Sequence, residues 1–203
     1  MIRSLDDLAR ITQEWAREPD GLDEVELRTP GLPTAELRRL TDALPGMPAS
    51  YLDILARFDL RATSLSYFEL APRPADDLVQ ELLEYNDPDG YLYSQYVEPN
   101  NLYMVASWEA DPICLARDLP GRPGGQVIGL ETVGRAEPRL YRLAPSFAVA
   151  MLVTGSALET HRNPAQTGSP GLERFLADLA EFGLDEEQRD AWRYIVGLSG
   201  FWP

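Results

Sequence analysis

The chain has 203 residues, 44% of them hydrophobic and 25% charged. It can bury a sizeable core without disulfides or metals, and it is too apolar for wholesale disorder. Its 33 acids face 18 bases, all of them arginine, and the net charge of −15 argues against nucleic acid or an anionic membrane as a direct partner, because both are bound through cations. A basic protein partner fits that charge, and so does solubility alone.

From the N-terminus, residues 4–17 read as an amphipathic helix capped by Ser4, with Leu5, Leu8, Ile11 or Thr12, and Trp15 on one face. A second helix starts at Thr34, expected as its N-cap, and carries Leu37, Leu40 and Leu44 until Pro45-Gly46 stops it. Pro48 opens a third, whose Tyr51, Ile54, Leu55 and Phe58 share a side. The short turn between these two predicts a helical hairpin.

The hydrophobic period then changes. Residues 64–71 read as a strand, 75–85 as a helix, and 101–107, 112–117 and 126–131 as further strands separated by turn residues. A short strand at 137–143 and a helix opened by Pro145 follow. This order predicts an α+β domain with a mainly antiparallel central sheet flanked by helices, not a parallel βαβ sheet. The loop-like tract 162–171 marks a boundary, beyond which helices 171–182 and 185–199 form a C-terminal extension docked through Phe175, Leu179, Trp192 and Ile195. The expected division is an N-terminal helix over 1–22, the α+β domain over 23–160 and the extension over 161–203.

Cys114 is the only cysteine, so a reducing compartment is expected. No apolar run in the first twenty residues resembles a signal peptide, and none elsewhere approaches a membrane span of about 20 residues. A cytoplasmic location is the expectation.

Nucleophilic catalysis needs a nucleophile beside an oriented base. Cys114 sits in a strand-like run and reads as a core residue, and the single histidine, His161, reads as a helix-end residue. One Cys and one His do not make a zinc site. Asn86-Asp87-Pro88-Asp89-Gly90 lacks the rest of a calcium loop and reads as a turn. No phosphate-binding glycine motif is present. The many acid pairs read as solvated faces, since glycosidase-type work needs two acids converging across a cleft. No catalytic, cofactor-binding or metal-binding residue is assigned, and no cofactor is expected.

Two stretches carry a family likeness. ELRRLTDALPGMPASYLDILARFD, residues 36–59, resembles the opening of SUKH domains at Leu40, Leu44, Pro48, Tyr51, Leu55 and Phe58. WEADPICLARD, residues 108–118, is similar to the strand motif of that family, and is followed by Val127-Ile128 and a helix entered through Ala144-Pro145-Ser146-Phe147. The resemblance covers roughly residues 24–158. It departs from the pattern at Asp59-Leu60 and Ala110, and the C-terminal helices lie outside it.

The resemblance implies a SUKH-like fold and a binding role. Bacterial members neutralise cognate toxins, often nucleases or other basic effectors, and related fungal members regulate cell-wall synthesis. The expected partner is thus a basic toxin domain, with no direct nucleic acid and no membrane. A non-toxin interaction module of the same fold and an acid-pair enzyme are the alternatives. The expected partner-binding residues lie mainly in 85–103, where Asp87, Asp89 and Glu98 alternate with Tyr91, Tyr93 and Tyr96; Tyr85 and Tyr103 flank them, and Glu109 and Asp111 complete the acidic set. Tyrosine suits such a face because it offers a stiff aromatic area with a polar tip.

Overall fold

The computed structural model describes residues 2–18, 25–61, 63–65, 68–70, 77–108, 111–132, 134–135, 137–162 and 169–198. The first helix, α1 (Leu5–Ala16), begins where Ser4 accepts a hydrogen bond from the Asp7 amide at 3.1 Å, and it turns Leu8 and Thr12 inward. The second and third, α2 (Thr34–Ala43) and α3 (Ala49–Arg57), form the expected hairpin. Thr34 is the first helical residue and not the cap. Pro33, locked in extended geometry, takes the cap position without a side-chain hydrogen bond. Gly46 in the connecting turn has φ +85°, and its carbonyl accepts from the Asp118 amide at 2.8 Å. A side chain there would meet the Asp118 carbonyl at 2.8 Å.

Six strands follow, β1 (Thr63–Leu65), β2 (Phe68–Leu70), β3 (Leu102–Trp108), β4 (Asp111–Ala116), β5 (Val127–Glu131) and β6 (Arg139–Ala144), in spatial order β1-β2-β3-β4-β5-β6. Every neighbouring pair is antiparallel. Strands β3 to β6 make a four-stranded meander, joined to the β1–β2 pair through the register pair Glu69–Ser107 among the described residues. The one strand expected over 64–71 is therefore two, with Thr63 opposite Leu70. The sequence alternation changes phase at Tyr67-Phe68, and one continuous strand would have put apolar side chains on both faces.

Helix α4 (Leu78–Tyr85) lies between β2 and β3 in the chain, and α5 (Phe147–Arg162) follows β6. Helix α5 packs so closely on α1 that a Cβ at Gly155 would sit 2.4 Å from Leu8 Cδ1, and the Ile2 amide donates to Ser156 Oγ at 3.1 Å. Beyond it, α6 (Ser169–Asp178) and a short 3-10 turn (Leu179–Phe182) end at Gly183, and α7 (Glu186–Leu198) starts from a reciprocal cap between Asp185 and Gln188. One continuous core contains side chains from α1, from the sheet and from α6 and α7, Leu8, Leu115, Phe175 and Trp192 among them. No described helix is long and apolar enough to cross a membrane.

A cluster of polar and aromatic groups ties α7 to the sheet. The Glu131 carboxylate accepts from the Tyr141 hydroxyl, from Arg135 at 2.9 Å and from the Tyr194 hydroxyl at 3.4 Å. The Tyr141 and Tyr194 rings stack at 5.2 Å with the Arg139 guanidinium over both. Burial alone would raise the Glu131 pKa, but the hydrogen bonds outweigh it and hold the group below its usual 4.5. Its contribution to stability is thus fully present above pH 4.5 and is lost as pH falls through the lower folded value. We expect Glu131→Gln to lower the urea midpoint at neutral pH, and the gap from wild type to close on acidification below pH 4.5. A gap that widened there would contradict this.

Candidate protein-binding surface

The surface is assembled from the end of α4 to the start of β3. Asp77 caps α4 by accepting from the Gln80 amide at 2.9 Å. Leu78, Val79 and Leu82 face the core while Gln80 and Glu84 face out. At the other end Asn86 is buried and fully used. Its amide donates to the carbonyls of Leu82 (2.7 Å) and Met104 (2.9 Å), and its oxygen accepts from the Met104 amide at 2.8 Å. These bonds fix the exit of α4 against β3.

The turn that follows is built as its residue types require. Asp87 Oδ1 accepts from the Asp89 amide at 3.0 Å, and the Gly90 amide closes on the Asp87 carbonyl at 2.8 Å. Residues 91–100, whose apolar residues follow no regular period, then wind as a helical segment: a wide turn over Tyr93–Val97 and a tight one over Glu98–Asn100, ended by Asn101 at φ +55°. The wide turn points both Tyr93 and Val97 inward.

Tyr91 is left 68% exposed, one of two exposed large hydrophobic side chains among the described residues. Its hydroxyl lies 3.1 Å from that of half-buried Tyr96, and the rings meet edge to face at 5.8 Å. The pair is therefore held in place before any partner arrives. The hydrogen bond to Tyr91 raises the Tyr96 phenol above its ordinary pKa.

Near this pair in the chain, Asp87, Asp89 and Glu98 are exposed and carry no arginine partner among the described residues, and the same holds for Glu84. Elsewhere arginines are spent on acids: Arg39 on Glu36 and Asp77, Arg61 on Asp59, Arg142 on Asp185 and Glu187. Residues 74–116 contain nine acids and no basic residue. Of these, Asp77 is paired with Arg39, Glu81 is buried and Asp111 lies at the far end of β3, which leaves Glu84, Asp87, Asp89 and Glu98 as the exposed acids of this segment among the described residues.

The other expected residues lie elsewhere. Tyr93 is in the core, and its hydroxyl accepts from Arg117 Nη2 at 2.6 Å. Tyr103 is also buried and donates to the Pro45 carbonyl at 2.8 Å. Asp111 pairs with Trp108 at the far end of β3, about 20 Å along the strand from Asn101. There its carboxylate accepts from the Thr132 amide (2.7 Å) and hydroxyl (2.9 Å). Glu109 lies outside the described residues. Asp87, Asp89, Tyr91, Tyr96 and Glu98 thus stay at the surface of one chain segment, Tyr93 is buried beneath it, and Asp111 lies at the far end of β3.

Two residues were not anticipated here, Glu84 and Arg117. Arg117 ends the base-free run, and that position was the available signal. Its guanidinium lies 4.1 Å from the centre of the Tyr103 ring, and Nε donates to the Leu102 carbonyl at 3.0 Å. Cys114 is fully buried in β4, and burial pushes its thiol well above the usual range, which opposes thiolate formation. Comparisons with protein-family models, curated proteins and solved structures give no match.

Proposed function

We propose that this chain is an immunity protein that binds and neutralises a cognate bacterial toxin, holding a basic effector domain against the face formed by residues 84–98. The observation that carries the reading is the preset Tyr91–Tyr96 pair, flanked in the chain by exposed Asp87, Asp89 and Glu98 that have no arginine partner among the described residues. Fixed aromatic area costs little ordering entropy on binding, and uncancelled acids steer a basic partner towards it. The likeness of residues 36–59 and 108–118 to SUKH domains supports the same role.

The test is growth rescue. Cells expressing the toxin domain encoded beside this chain's gene should recover when the wild-type chain is co-expressed. They should recover poorly with Asp87→Lys/Asp89→Lys or Tyr91→Ala, provided both variants accumulate as folded protein. No rescue by the wild type would remove the toxin reading. Rescue by both variants equal to wild type would move the interface away from this face.

A further inference from the structure

Behind the turn at 87–90 lies a groove of about 450 Å³ between the end of α2, the outer side of α4 and the start of β3. Leu44, Pro45, Leu83 and Pro88 supply apolar walls, Glu84 and Asp87 are its carboxylates, and Arg117 is the only base among its described lining residues. Asp87 belongs to both the groove and the tyrosine-bearing face, so the two are continuous.

Arg117 is the unusual member. In a chain with 33 acids and 18 bases, this half-buried guanidinium has no carboxylate within ion-pairing distance among the described residues. It is nonetheless fixed, by Leu102 through Nε, by Tyr93 through Nη2, and by the ring of Tyr103 beneath it. Nη1 makes no hydrogen bond among the described residues. A guanidinium held this way is a donor already oriented, so an acceptor that reaches it loses little further freedom on binding. The two carboxylates outnumber it, which disfavours an anionic occupant and leaves a neutral carbonyl as its natural acceptor.

We infer that this groove receives an arginine of the protein partner, with its guanidinium on Glu84 and Asp87 and its main-chain carbonyl on Arg117 Nη1. The inference rests on the protein-binding reading above and adds the residue type recognised. Arginine fits better than lysine because its planar fork can meet a carboxylate through two parallel hydrogen bonds. Its methylenes would cover Leu83, Pro45 and Pro88.

The test needs no partner protein, so its failure is distinguishable from failure of growth rescue. N-acetyl-arginine amide carries the guanidinium and two neutral carbonyls. Titrated into ¹⁵N-labelled protein, it should give saturable shifts at the Arg117 Nε–H and at the amides of Glu84, Asp87 and Gly90. The exposed double variant Glu84→Gln/Asp87→Asn should weaken binding about tenfold, the loss of roughly 1.4 kcal/mol of contact. Arg117→Lys, with an unchanged circular dichroism spectrum, should weaken it as well, and N-acetyl-lysine amide should bind less tightly than the arginine probe. Shifts spread evenly over the acidic surface would overturn the inference, and so would an affinity unchanged in the double variant.

Discussion

Replacing Trp192 with alanine should destabilise the whole chain by about 3–5 kcal/mol, the range for deleting a large buried aromatic side chain. Trp192 is fully buried in the core shared by the sheet and the C-terminal helices, and its Nε1–H donates to the Leu143 carbonyl of β6 at 2.9 Å. β6 is an outer strand of the sheet. Removing the indole leaves both a cavity and a carbonyl without its donor. Trp192→Phe should cost less, about 1–3 kcal/mol, since most of the buried area remains and chiefly the hydrogen bond is lost. Urea unfolding followed by circular dichroism checks both variants. A single transition at a lower midpoint is expected, because α7 shares its core with the sheet. A separate early transition, with the remaining midpoint unchanged, would show that α6 and α7 form an independent unit.

Much of the fold was legible because local chemistry and packing agree. The stripe of α1 and its Ser4 cap, the Pro45-Gly46 stop after α2, and Gly183 before α7 all lie close to where the sequence pattern places them. The runs that became β3, β4 and β5 are β-branched, aromatic and aliphatic between turn residues, which few other structures accommodate. The 91–100 segment was not legible. Its tyrosines at 91, 93 and 96 follow neither a period of 2 nor one of 3.6, and only a wide turn buries Tyr93 together with Val97.

The candidate site divides the same way. Its chemical types could be read from the sequence, but partners distant in the chain decide which members reach solvent. Arg117 holds Tyr93 inside from 24 residues away, and Thr132 occupies Asp111 from 21 residues away. A list of acids and tyrosines cannot show either pairing. Glu84 reads in the sequence as one more exposed helical acid, and that no described arginine pairs with it is visible only in three dimensions.

The second large effect concerns how a partner arrives. Asp87, Asp89 and Glu98 are exposed and have no arginine partner among the described residues, so their field extends into solvent over the roughly 8–10 Å set by screening near physiological salt. Steering by such a face can raise association rates by about 10 to 1,000-fold at low ionic strength. Asp87→Lys/Asp89→Lys changes the local charge by four units and should therefore slow association by at least about tenfold at low salt, with a far smaller effect at high salt. Tyr91→Ala removes desolvated aromatic contact instead, so it should act on dissociation and change little with salt.

The most direct measurement is stopped-flow association of the chain with the toxin domain proposed above as its partner, over a range of salt concentrations, for wild type and for the double charge reversal. The wild-type rate should fall steeply as salt rises, and the two rates should converge at high salt. A tight complex whose association rate ignored both salt and the reversal would contradict an acidic, tyrosine-bearing face at residues 84–98 as the place where the partner docks.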